Sequence, residues 1–282
     1  MCDRSNYFGP GGAYTRNELT SHNTETNPMT SDNISKRVCA LGVMAKAPLA
    51  GEVKTRLVPP LTEQEAAALS VCFLRDMAAN IASVSETEAA SGLVVYTPIG
   101  SESAFDGVLP DGFKLLGQRG ISLGERLYNA TDDLLRQGYG AVCLINSDSP
   151  TLPRSILSRA IELLASDGDR VVLGAAEDGG YYLIGLKHAH RNLFNGIEWS
   201  TANVLTHTRQ RAAEINLPVE ILPPWYDVDD ADTLNRLCEE LFFSESLDGS
   251  YPAPHTRAFL DSTIKMEGPQ RICPKLSTRM SI

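Results

Sequence analysis

Carboxylates and cations recur in this chain where an apolar run stops. Leu144-Ile145-Asn146-Ser147-Asp148-Ser149-Pro150 is a strand-forming run that ends in an aspartate flanked by small polar residues. Asp227-Val228-Asp229-Asp230 follows the last strand-like run. A carboxylate beyond a strand end can hold a divalent metal against a phosphate, and alternate carboxylates on an extended segment point to one side, which suits one hard cation. Asp148, Asp227 and Asp229 are therefore the candidate metal ligands. The competing reading is a turn or a helix cap, and Asp230 is placed to cap the helix behind it. Lys46, Lys54 and Arg56 surround the loop Pro48-Leu49-Ala50-Gly51. A loop between a first strand and a first helix offers backbone N–H groups and a helix dipole to an anion; the lysines add point charges, and Arg56 can grip a phosphate with two hydrogen bonds. Lys46, Lys54, Thr55 and Arg56 are read as phosphate-binding, against the alternative of a solvated basic loop. The spacing lacks G-x-x-x-x-G-K-[ST], which disfavours a P-loop nucleotidase.

At another predicted strand end, Glu177-Asp178-Gly179-Gly180-Tyr181-Tyr182 joins adjacent carboxylates to paired glycines. Glycines permit close backbone approach to a ligand, and the acids can accept hydrogen bonds from sugar hydroxyls; a hairpin turn is the plainer reading. Glu177 and Asp178 are expected to orient the transferred group or acceptor, with either as base. Gly179, Gly180 and Tyr181, with Trp199-Ser200-Thr201, are expected to line an acceptor pocket. Gln118, Gly124 and Glu125 either wall a base or ribose or merely begin a helix. The five histidines avoid all of these groups. Nucleophilic catalysis by a Ser–His or Cys–His pair thus has little support, and metal-assisted transfer by Asp148, Lys54, Glu177 and Asp178 fits better.

What must position these residues is an alternation of strands and helices. Strand-length apolar runs begin at Val38 and Leu93, a shorter one at Phe113, and others at Ala141, Val171, Tyr181 and Val219. Thr62-Glu63-Gln64-Glu65 and Ser122-Leu123-Gly124-Glu125 have the form of capping boxes that open helices. Leu69, Phe73, Met77 and Ile81 carry the first helix to about Ser83; Pro153 opens another, Ser200 to Ile215 reads as a helix, and Asp230 caps the last. Such alternation predicts a mostly parallel sheet with helices on both faces. Ligands bind such sheets just outside the carboxyl ends of the strands.

The chain has 282 residues, 43% hydrophobic and 21% charged, with a net charge of -10. That length and composition predict a soluble α/β protein with one domain over 37–243 and no internal repeat. Residues 1–36, rich in Asn, Thr, Ser and Gly, are expected to be disordered, and 244–282 to form a loosely ordered tail. The negative charge argues against a nucleic-acid partner. No signal-peptide pattern and no apolar run of roughly 20 residues is evident, so a cytoplasmic protein without a membrane span is expected. Cys2, Cys39, Cys72, Cys143, Cys238 and Cys273 form no C-x-x-C pair, and free thiols are expected rather than a disulfide framework or zinc site.

In order, these motifs resemble the nucleotide-diphospho-sugar transferase superfamily with the GT-A fold. The nearest likeness is to the glycosyltransferase-like group associated with radical-SAM and selenodomain proteins, of the arsenosugar-biosynthesis type. The residues that carry it are Met44–Pro48, Gly51–Leu57, Leu123–Arg126, Ser147–Pro150, Glu177–Leu186, Trp199–Thr201 and Asp227–Asp229, spanning about residues 38 to 241. The first half also resembles the 2-phospholactate and phosphoenolpyruvate guanylyltransferases, through Lys46-Ala47-Pro48 and Lys54-Thr55-Arg56-Leu57. Asn146 stands where Gly is expected, and Glu177–Tyr181 departs from the guanylyltransferases' acceptor pattern.

The resemblance implies a single Rossmann-like GT-A domain binding a nucleotide across the strand ends, with Mg²⁺ or Mn²⁺ on Asp148 and the Asp227/Asp229 segment. Three functions remain open on these residues. One is transfer from a nucleotide-activated donor, an NDP-sugar, to a small-molecule acceptor. The second is nucleotidyl transfer from an NTP to a phosphorylated small acid, which three cations near one loop would suit. The third is nucleotide binding without turnover.

Overall fold

The computed structural model describes residues 38–243 and 249–274. Seven strands form one sheet: β1 (Cys39–Lys46), β2 (Ala90–Thr97), β3 (Lys114–Gly117), β4 (Ala141–Asn146), β5 (Val171–Ala176), β6 (Tyr181–Leu186) and β7 (Val219–Trp225). Their order is β3-β2-β1-β4-β6-β5-β7. All pairings are parallel except those of β6, which runs antiparallel to both β4 and β5. The mostly parallel sheet matches expectation. In β4, Cys143 and Ile145 enter one core while Val142 and Leu144 enter the other. Side chains alternate along a strand, so a strand buried on both faces has no polar positions to show, which explains the unbroken apolar runs.

One face is covered by α1 (Glu63–Ser85) and α3 (Arg154–Ala165), the other by α2 (Leu123–Arg136) and α4 (Val204–Glu214). Both capping boxes form: Thr62 and Ser122 accept from the backbone N–H of Glu65 and Glu125, whose carboxylates reach back. A further helix, α5 (Ala231–Phe243), follows the carboxylate segment. Asp230 caps it as expected, accepting from Thr233 N at 2.9 Å. The helix α4 begins four residues later than its sequence pattern suggests, because Ser200 takes a left-handed φ of 64°.

The region after Phe243 differs from expectation. Residues Pro254–Glu267 form α6 and Pro269–Ile272 a final short turn of helix, α7. Two of the buried positions of α6 are Thr256 and Thr263, beside Leu260, and this mixed inner face is why its periodicity fades in the sequence. The side chain of Asp76, 0% exposed on α1, accepts from the N–H groups of His255 (3.0 Å) and Thr256 (2.7 Å) at the start of α6. Arg271 of α7 pairs with Glu65 of α1. Cys238 of α5 and Cys273 form a disulfide, which corrects the expectation of free thiols there. Cys39, Cys72 and Cys143 are free. The expected disorder of residues 1–36 lies outside the described residues.

By length and composition α1 could cross a membrane, but 56% of its apolar window is buried inside the fold. It is the central core helix of this domain.

Candidate active site at the strand ends

The carboxyl ends of β1, β4, β5 and β7 share one edge of the sheet. Although β7 lies at the far side, its continuation crosses the start of the β5–β6 connection and reaches β4. Glu177 N donates to Trp225 O (3.1 Å), and Val228 N donates to Asp148 O (2.9 Å). Ser149 Oγ lies 2.9 Å from both Tyr226 O and Asp227 Oδ1. Two loops about 80 residues apart in chain order are thereby fastened together, and they bring Asp148, Asp227 and Asp229 to one place.

Lys54 enters this group from the first loop. Its backbone is left-handed (φ 50°, ψ 35°), a conformation rare for residues with a side chain. The Nζ stands 2.7 Å from Asp148 Oδ1, 3.0 Å from Asp229 Oδ1 and 2.7 Å from Val228 O. Its side chain is 7% exposed and lies 5.5 Å from the centre of the Phe73 ring. Burial opposes its charge, yet Asp148 and Asp229 hold its pKa above the ordinary lysine value. Lys54 is therefore occupied, where its sequence context suggested a hand extended to phosphate. Arg56 Nη2 takes the other oxygen of Asp229 at 2.5 Å and is otherwise exposed. Lys46 Nζ is bound to Glu52, 2.6 Å from Oε2 and 3.0 Å from the carbonyl oxygen.

Asp227 has a perturbed carboxyl. Burial pushes its carboxyl up to about 6, against a hydrogen bond from Ser149 and in concert with the nearby Asp148 charge. Asn146 Nδ2 donates to the same Asp227 oxygen at 2.5 Å, and Asn146 Oδ1 accepts from Asp148 N at 3.3 Å. The residue that departed from the family pattern thus holds the Asp227 carboxylate and the backbone of Asp148. Three carboxylates facing Lys54 and Arg56 are under-neutralised, and an all-oxygen donor set of this kind fits a hard divalent ion. Asp148, Asp227 and Asp229 would hold it.

Two cavities open here. The first, of about 240 Å³, is lined by Lys46, Lys54, Thr55, Arg56, Asp148 and Asp229, among others. The second, of about 520 Å³, is lined by Asp178, Gly180, Tyr181, Trp199, Thr201 and Asp227, and it shares Arg56 and Asp229 with the first. Ser200 also borders it. Tyr181 and Trp199 meet edge to face, 6.4 Å between ring centres. Gly179 has φ 91°, and a Cβ there would overlap the carbonyl oxygen of Ala202, so the acidic turn and the Ser200–Asn203 segment meet at a contact only glycine permits.

Not every expected residue joins. Glu177 lines neither cavity. Its carboxylate is bound by both terminal nitrogens of Arg236 on α5, at 2.5 and 3.1 Å, and that guanidinium stacks 3.8 Å above the Tyr226 ring. Asp178 alone of the acidic pair faces the second cavity. Gln118 donates to Val95 O (2.8 Å), which makes it a fastener of the strand ends. Gly124 and Glu125 start α2 and border a separate cavity with Arg191 and Trp199. The residues missed from sequence were Asn146, Ser149 and Arg236. Asn146 carried a signal, as an unusual residue beside a strand-end aspartate; Arg236 carried none, since it lies 59 residues from its partner.

A group of metal-ligating side chains also occurs at the opposite sheet edge. Asp169, His188 and His190 place one donor atom each within 4.8 Å of the others, the only such trio among the described residues. It lies at the start of β5 and beyond the end of β6, remote from both cavities.

A protein from Desulfovibrio desulfuricans G20, provisionally named a nucleotide-diphospho-sugar transferase, has a solved structure that is 31% identical in sequence. The match covers 81% of this chain and 96% of that one, with a TM-score of 0.69. The chain belongs to the nucleotide-diphospho-sugar transferase superfamily. It is by that membership a transferase-type enzyme. Residues 80–201 match the family model described as "Uncharacterized protein conserved in bacteria (DUF2064)". No curated protein matches the sequence. CMP:2-keto-3-deoxy-manno-octonic acid synthetase complexed with CTP is 10% identical, over 71% of this chain and 96% of that one, with a TM-score of 0.48. A cytidylyltransferase from Leptospira borgpetersenii serovar Hardjo-bovis (strain JB197) is 12% identical, over 84% and 96%, with a TM-score of 0.45. Neither of these two likenesses bears on function.

Proposed function

We propose that this enzyme transfers a group from a nucleotide-activated donor, an NDP-sugar, to a small-molecule acceptor with the help of Mg²⁺ or Mn²⁺. The observation that carries this reading is the pair of cavities meeting at Arg56 and Asp229. In this arrangement the donor's diphosphate occupies the first cavity, beside Lys46, Thr55 and Arg56. The acceptor occupies the second, where Asp178 orients it and removes its proton, and Tyr181 and Trp199 form an apolar wall. A bound divalent ion supplies neutralisation of the charge that develops on the leaving diphosphate. Asp148, Asp227 and Asp229 hold that ion, and Asn146 and Ser149 keep Asp227 in place. Arg56, exposed and bound to one carboxylate oxygen, has free donors for a phosphate.

The alternative, nucleotidyl transfer from an NTP, drew on three cations near one loop, a number that suits a triphosphate. Lys46 and Lys54 are held by carboxylates and Arg56 keeps free donors, which supports the smaller charge of a diphosphate. Thermal shift separates the readings, with NDP-sugars and NTPs tested with and without Mg²⁺ or Mn²⁺. A ligand at a hundredfold its dissociation constant adds about 2.7 kcal/mol, a shift of roughly 5–10 °C for a domain near this size. A response to UDP-sugars or another NDP-sugar supports the proposal. A response to GTP or CTP alone, with pyrophosphate release, replaces it with the second reading, and no response to any nucleotide refutes both.

A further inference from the structure

The Lys54 ammonium occupies the position between Asp148 and Asp229 that a cation shared by them would take. Three oxygens surround it: Asp148 Oδ1, Asp229 Oδ1 and the Val228 carbonyl, at 2.7 to 3.0 Å. The stem is buried, and the nitrogen is in direct contact with both acids. With the lysine present, Asp148, Asp227 and Asp229 are not gathered into a trio of donors within 4.8 Å of one another. The ammonium satisfies two of the acids electrostatically and stands between them. Direct coordination by both oxygens that contact the ammonium requires it to leave. It also lines the first cavity, so a polyanion entering there offers it new partners at short range.

The geometry points to Lys54 as a resident counter-cation: it keeps divalent ions off Asp148 and Asp229 until the phosphates of a bound nucleotide draw its ammonium away. This rests on the nucleotide reading proposed above, and it goes further by making metal binding conditional. A small positive group and a hard divalent ion compete for the same carboxylate oxygens, and the phosphates shift that competition because they attract both. Lys54 is in this account the residue that couples the two ligands. Binding energies of linked ligands are reciprocal, so metal must also tighten nucleotide binding by the same factor.

The test is a titration of metal-free protein with Mn²⁺ alone, followed by calorimetry or by the electron paramagnetic signal of free Mn²⁺. Wild type is compared with Lys54→Met and with Lys54→Gln, whose amide keeps a donor near Val228 O if the methionine variant fails to fold. The expected result is Mn²⁺ binding at least tenfold tighter in the folded variant than in wild type. Unchanged or weaker binding would overturn the inference. A second arm repeats the titration with UDP and with GTP, each corrected for the affinity of Mn²⁺ for the free nucleotide. Wild type should gain at least tenfold in Mn²⁺ affinity, and the variant should lose that gain. A gain retained in the variant also overturns it. If no nucleotide binds wild type, the functional reading fails by itself, while the Mn²⁺-alone comparison still decides whether lysine and metal compete.

Discussion

Two clusters of ionisable side chains sit at opposite edges of the same sheet, and they are built to opposite ends. At the carboxyl edge, Asp148, Asp227 and Asp229 face Lys54 and Arg56, and burial with neighbouring negative charge pushes Asp227 up to about 6. At the other edge, Asp169 accepts from His188 Nδ1 (3.1 Å) and His190 Nε2 (2.7 Å). Partial burial opposes ionisation of Asp169, yet these two hydrogen bonds hold its carboxyl below the usual range. The first group sets three carboxylates against two cations, and the second gives each oxygen of a single carboxylate a histidine. Proximity of donor atoms favours the histidine cluster as a metal site; electrostatics favours the strand-end acids. A site poised to bind is marked by unspent charge, and tight convergence of donors is no substitute for it.

The difference can be broken from the carboxyl edge first. Replacing Asp148 by Asn removes a metal ligand and a Lys54 partner while leaving the backbone contact to Val228, so kcat/KM should fall about 10²–10³-fold. Circular dichroism should show the fold retained, and full activity in that variant would falsify the metal assignment. Next come the adjacent acids. Asp178→Asn should lower kcat about 10²-fold as the loss of a general base, whereas Glu177→Gln should change it less than about threefold, since that side chain is held by Arg236. Equal losses in the two variants would show that the pair acts together. Gly179→Ala forces a Cβ onto Ala202 O and should destabilise the fold by about 2–4 kcal/mol, measured from urea midpoints, with a raised KM for the acceptor.

Smaller effects sharpen the contrast. Glu65 is a carboxylate fully engaged, like Asp169: Arg271 holds it down to about 2, against an ordinary value of 4.5. A depressed folded-state pKa stabilises above the unfolded value, so this contribution is complete above pH 4.5 and lost as pH falls towards 2. Solvent screening limits it to about 1 kcal/mol. Glu65→Gln should flatten that part of a stability–pH profile; an unchanged slope would remove the pair from the account. Last, Asp169→Asn should leave the Mn²⁺-dependent nucleotide response unaltered, and any loss of that response would tie the two edges together.

How legible the molecule was depends on the range of the interaction. The buried parallel strands, both capping boxes and the Asp230 cap were readable because each is set within a few residues. The placement of Asp148 and Asp229 at one edge followed from strand ends alone. What the two do with Lys54 did not, since a charge cluster in a string of residues gives no sign of who is bound to whom. The same holds for Glu177: Asp178, one residue away, faces a cavity, while Glu177 answers to an arginine on α5. The helix α6 was missed for a different reason. Its inner face includes Thr256 and Thr263, residues that disguise an apolar stripe. The disulfide was hidden because cysteine pairing depends on a contact between two segments 35 residues apart.

Asp76 gives that last segment a temporal meaning. A carboxylate on the first long helix is 0% exposed, and its hydrogen-bond partners are the N–H groups of His255 and Thr256. A ribosome makes those partners nearly 180 residues after the aspartate they complete. Until they emerge, the nascent domain carries either an uncompensated charge in its core or a hydrated breach beside α1, and burying such a charge without a partner is strongly unfavourable. The sheet can therefore collapse early, but the domain closes late, from its carboxyl end. A chain truncated before Pro254 should be held open at Asp76, and Asp76→Asn should relieve most of that defect in the truncated protein while weakening the intact one.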